Sequence, residues 1–144
     1  MSVTTVSDLT GRTGVAVDPH LADLEIPVIS GPQCQGDLAI IPLAMVATRV
    51  HVRPGAVRVP VPASGVELLR GTAMGNPHML VADPGTCTWT TAVQDEDDLA
   101  IGVIETSAPV YLLHREHGCT GVAPGSYVVR RQREQADEIR MVAD

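Results

Sequence analysis

The stretch Val50-His-Val-Arg-Pro-Gly-Ala-Val-Arg-Val-Pro-Val61 decides the fold class. Apolar and polar residues alternate from Val50 to Arg53 and again from Ala56 to Val61, the period of a strand with one buried face. Pro54-Gly55 interrupts the alternation with turn chemistry, which predicts two half-buried strands joined directly. The valines are β-branched and favour extended backbone.

Pieces of the same length recur on both sides of this stretch. Gly31-Pro-Gln-Cys-Gln-Gly-Asp37 is a turn cluster, and Leu38-Ala-Ile-Ile41 follows as a buried strand stopped by Pro42. Further strands are predicted over 66–70, 79–82 and 86–93, the last rich in Thr and carrying Trp89. Gln94-Asp-Glu-Asp-Asp98 is an acidic turn before a strand over 99–105, in which Gly102 marks a bulge. Strands over 109–114, 126–133 and 137–142 complete the series. Strand-length pieces every eight to twelve residues, with Gly or Pro between them, predict an all-β domain: a small antiparallel sandwich or a partly open barrel. The one sizeable helical candidate, over 132–141, keeps no clean apolar stripe. Residues 1–30 hold no sustained period and are expected to form an extended N-terminal arm on a single β domain of residues 31–144. Ser7-Asp8 and Asp18-Pro19 are weak helix starts within it.

A chain of 144 residues is long enough for one core, and 44% of it is apolar. There is no Phe, one Trp and two Tyr, so aliphatic side chains must fill the interior. The net charge is −7, with ten Arg and no Lys, which argues against sequence-independent nucleic-acid binding. Arg130, Arg131 and Arg133 form the one basic patch, expected on a solvated edge strand. Three cysteines without a close pair, and no apolar run of membrane length, predict free thiols and a soluble, cytoplasmic protein.

The groups able to do chemistry gather late in the chain, in His114-Arg-Glu-His-Gly-Cys119. His114 and His117 have a spacing that suits a shared metal on a helix and opposite faces on a strand. With His78 arriving from another loop they form a candidate site for zinc or another divalent ion. Asp37, Glu116, Cys119 and Tyr127 are candidate supporting groups. Tyr127 is placed there by a hairpin at Pro124-Gly125 that folds its strand onto Tyr111–His114. The alternative to a metal is a polar turn in which imidazole and carboxylate bond the backbone. Asp37 fits a turn-pinning role, and the run Asp95 to Asp98 offers carboxylates for a hard cation or simply a solvated turn.

Three segments together resemble a group of small uncharacterised bacterial and phage β-proteins: Gly36-Asp-Leu-Ala-Ile-Ile-Pro42, Gly71 to His78, and His114 to Arg133 continuing to Asp144. That group carries a GD strand ending in Pro, a GExTGHAH-like loop and an EH…PxGxYxVxxQREY segment. Glu116-His117, Pro124-Gly125, Tyr127, Val129 and Gln132-Arg-Glu134 match. Thr72, Asn76 and Gln135 stand where the pattern has Glu, His and Tyr, so the central loop retains only part of any site it carries. The resemblance implies a non-catalytic structural or interaction subunit, a homo-oligomer or member of an assembly such as a virion. A metal-dependent hydrolase-like enzyme using His78, His114 and His117 is the alternative, and a small-molecule sensor a third.

Overall fold

A computed structural model of the chain describes residues 4–15, 24–70, 77–116 and 118–132. About 50% of the described residues are strand and 11% helix, and no sheet among them closes into a barrel, so the fold is an all-β sandwich. The predicted strand over 137–142 and the helical candidate over 132–141 fall, apart from Gln132, outside the described residues.

The arm begins with helix α1 (Val6–Thr13). Thr5 and Asp8 form a reciprocal capping box at its start, and Gly14 ends it in the left-handed conformation at φ 74°. This helix forms where the sequence offers only a weak start at Ser7-Asp8. Val6 and Leu9 are its buried residues. After it come β1 (Val28–Ile29), β2 (Gln33–Gln35), β3 (Leu38–Pro42), a 3₁₀ turn over Leu43–Val46, β4 (Val50–Val52) and β5 (Val59–Pro60). The second half holds β6 (Val66–Arg70), β7 (Pro77–Val81), β8 (Cys87–Thr90), β9 (Val93–Asp95), β10 (Ala100–Thr106), β11 (Val110–His114), β12 (Gly118–Val122) and β13 (Gly125–Arg131).

One sheet has the order β1-β12-β11-β7-β6 and the other β2-β3-β13-β10-β8-β5, with β4 and β9 as a separate pair. All described pairings of named strands are antiparallel except β1 on β12. The core lies between the two large sheets. Leu80, Leu112 and Val122 from the first meet Leu38, Ile40, Trp89, Ile104 and Val129 from the second. On the outer side of the five-stranded sheet, Val6, Leu9 and Ile26 pack on Val81, Tyr111 and Leu113. On the outer side of the six-stranded sheet, Val103 and Val128 are covered by Val50 with Val46, Val52 and Val93. Among the described residues, no helix is long and apolar enough to cross a membrane.

Several expected connections are replaced by longer-range ones. Val50–Val52 and Val59–Pro60 do not form a hairpin. β4 pairs with β9 and β5 with β8, because the Pro54-Gly55 turn carries the chain between layers. β13 is no edge strand: it lies between β3 and β10, and Arg130 is only 9% exposed. Its guanidinium bonds both oxygens of Asp95 at 3.0 Å and reaches Asp97 at 2.9 Å. Asp95 also accepts from the N–H groups of Asp97, Leu99 and Ala100, and Arg49 pairs with Asp97 at 2.8 Å. The acidic turn is thus an arginine clamp, and these contacts take up the Asp95 and Asp97 carboxylates. The bulge expected near Gly102 is present, as a register shift between Ala100 and Gly102.

Candidate functional site

Strand register places the polar groups. Tyr111, Leu112 and Leu113 of β11 stand opposite Val81, Leu80 and Met79 of β7, so the next pair along is His114 and His78. Both share the inner face with Leu112 and Leu80. Gln35 of β2 is paired with Leu38 and faces the same interior from the other sheet. His78 is 1% exposed, Gln35 3% and His114 5%. The interior of the sandwich therefore ends in a buried polar cluster where its aliphatic core stops.

The cluster's hydrogen bonds assign its protons. The Gln35 side-chain amide donates to the carbonyl oxygens of Leu112 (2.8 Å) and Gly118 (3.1 Å) and lies 3.1 Å from Thr120 Oγ1. Carbonyl oxygens only accept, so Gln35 Oε1 is the atom turned to His78, and His78 Nδ1–H donates to it at 2.9 Å. His78 Nε2 lies within hydrogen-bond distance of Asp37 Oδ1, also at 2.9 Å. Both ring nitrogens thus face oxygen atoms, and the ring pairs with Asp37 as an ion when it is protonated. His114 is different. Its Nδ1 accepts the Glu116 N–H at 3.0 Å, so its proton sits on Nε2 and the ring is neutral. The two ring centroids are 4.4 Å apart with planes tilted by 42°.

Of the residues predicted for the site, the structure brings together His78, His114 and Asp37, with Glu116 capping the turn through its backbone. His117 lies outside the described residues. Cys119 stands opposite Leu113 and packs with the α1 contacts on the outer face, so it is turned away from the imidazoles. Burial pushes its thiol up to about 11, and that of Cys87 likewise to about 11. Tyr127 lies in the opposite sheet, paired with Ile104 and Pro42 near the start of β13. The hairpin expected at Pro124-Gly125 is a crossing between sheets, because β12 takes the place beside β11. The end of β13 that does approach the cluster carries Gln132, whose N–H donates to the Asp37 carbonyl oxygen at 3.1 Å.

Gln35 and Thr120 are members that sequence reasoning passed over. The signal was present in Gln33-Cys-Gln35, two amides that share a face if the segment is a strand. Gln33 makes the parallel contact, donating to the Gly121 carbonyl oxygen at 2.9 Å. Chemically, the arrangement is a cross-sheet staple. In the bonds described, both His78 nitrogens and His114 Nδ1 are engaged. No three His, Cys, Asp or Glu side chains among the described residues converge on a metal position.

A family model matches residues 34–132, from within β2 to the residue after β13. The chain belongs to that family, the domain of unknown function DUF8820. No curated protein and no solved structure matches it. The DUF8820 region contains all of Gln35, Asp37, His78, His114 and Thr120, whereas α1 and β1 precede it.

Proposed function

We propose that this DUF8820 protein is a non-catalytic structural or interaction subunit that self-associates or joins a larger assembly through the edges of its sheets. The observation that carries this reading is where exposed aliphatic side chains lie. Val28 and Ile29, 42% and 43% exposed, form β1 at one end of the five-stranded sheet. Val59, 49% exposed, is in β5 at one end of the six-stranded sheet, next to Val57 at 76%. Edge strands carrying exposed apolar residues are sites for strand addition. The buried cluster supports the same reading, since its described bonds join the sheets to each other. A particle or virion surface is one assembly of this kind, in line with the resemblance to small phage proteins.

The test is mass in solution over a wide concentration range, for the chain and for a Val28→Lys/Ile29→Lys variant. Association that the lysines weaken supports the proposal. A protein that stays monomeric and joins no larger particle in extracts of its host counts against it. The contact between the His78 and His114 rings favours a second reading, a metal-dependent hydrolase-like site completed by His117. Stoichiometric zinc or another divalent ion in tag-free protein would establish that reading in place of the first.

A further inference from the structure

We propose that the outer face of the five-stranded sheet is an exchangeable docking surface, and that the N-terminal arm of a second copy of this chain can occupy it in place of the chain's own arm. This rests on the self-association reading and names its surface and its partner. The arm's contacts define what the surface accepts. Val6, Leu9 and Ile26 bury their side chains on Val81, Tyr111 and Leu113. The Pro27 carbonyl oxygen passes so close over β12 that a Cβ on Gly121 would lie 2.4 Å from it. At the rim, Arg12 donates to the carbonyl oxygens of Ala63 and Ala82 and pairs with Asp83 at 3.4 Å. The receiving strands β7, β11 and β12 lie inside the DUF8820 match, and the arm lies before it. An arm from any copy of the chain carries the same complement.

The hinge favours exchange. β1 ends at Ile29 in one sheet and β2 begins at Gln33 in the other, so Ser30-Gly-Pro32 must cross between the layers. Sheets that pack face to face stand ~10 Å apart. The four Cα steps from Ile29 to Gln33 reach only ~14 Å when fully extended. Pro32 also restricts Gly31 to extended backbone. A closed monomer and an exchanged dimer make the same arm contacts, so strain in a short hinge decides between them. Opening the crossing lets β1 and β2 run on towards a neighbour.

The experiment compares three full-length hinges by light scattering over a concentration series: the natural one, one with Gly31 deleted, and one with Gly-Ser-Gly-Ser inserted after Gly31. The deletion should move dimer formation to a concentration about ten-fold lower, and the insertion to one about ten-fold higher, each step equivalent to ~1.4 kcal/mol per dimer. Gly121→Ala, which blocks the approach of Pro27, should remove the dependence on hinge length. Association that is equal for all three hinges overturns arm exchange while leaving association through sheet edges intact. A chain that is monomeric with every hinge overturns both. If Gly121→Ala fails to fold, the hinge series alone still decides.

Discussion

Gln35 is the residue on which the buried cluster turns, because one amide serves acceptors on β11 and β12 and a donor on β7. Replacing it with Leu preserves bulk but removes the acceptor of the His78 Nδ1–H and a donor to the Leu112 and Gly118 carbonyl oxygens. A buried group left unsatisfied costs ~1–3 kcal/mol, so Gln35→Leu should lower stability by at least about that much in urea titration. A loss near zero would mean that water takes over the amide's bonds. Nitrogen-correlated NMR of the imidazoles should find His78 protonated at Nδ1, which faces Gln35 Oε1, and His114 protonated at Nε2. The thiols divide just as sharply. Cys34 is exposed, while burial holds Cys87 and Cys119 at about 11. In the native protein at pH 8 a disulfide reagent should therefore modify Cys34 rapidly and the other two only on unfolding. How far such roles are legible in sequence depends on range. His78, His114 and Asp37 could be named as a candidate group from residue type. Gln35 was passed over, since the face it shares with Gln33 shows only once this turn-rich segment is read as a strand.

At the scale of the element, strands were legible and their partners were not. Alternation and turn residues are local, so β3, β10, β11 and β13 fall close to where the valine and proline spacing puts them. Pairing is nonlocal, so Pro124-Gly125 reads as a hairpin although the chain there changes sheets. β12 (Gly-Cys-Thr-Gly-Val) lacks the apolar period that would mark it as a strand. The central position of β13 carries a consequence at Asp95. Burial raises that carboxyl, and the Asp97 N–H, the Arg130 guanidinium and the Leu99 N–H outweigh it, holding the group below its ordinary value. A carboxyl depressed in the folded state stabilises the protein above its unfolded value and loses that contribution as pH falls through the folded one. The melting temperature should therefore drop as pH falls below about 4. Asp95→Asn should flatten that dependence and, by leaving Arg130 with Asp97 alone as its charge partner, cost ~1–3 kcal/mol. An unchanged acid limb in the variant would assign acid sensitivity elsewhere. At the β10 bulge, close approach requires glycine: a Cβ on Gly102 would lie 2.3 Å from the Trp89 ring. Gly102→Ala must displace that ring or the strand, and should cost ~1–3 kcal/mol with a shift in the emission of the one tryptophan.

The whole molecule is a stack of layers that differ in how they are tied to the centre. β10 and β13 are at the middle of the six-stranded sheet, bonded on both sides, with the core on one face and the β4–β9 pair on the other. The arm is held by one apolar cluster, a two-residue parallel strand and the Arg12 rim contacts. Cooperative units open in order of such attachment, and opening the arm breaks no pairing within the DUF8820 strands. Amide hydrogen exchange followed by mass spectrometry should thus find α1 and β1 exchanging well before β3, β10 and β13, by local detachment from a sheet that stays closed. The same measurement ties the arm to assembly. If arms exchange between copies, raising the protein concentration will slow exchange in α1 and in the Ser30–Pro32 hinge while leaving β10 and β13 unchanged. Protection of α1 equal to that of the central strands at every concentration would instead make the arm part of one cooperative core, and its docking face a fixed wall of the fold.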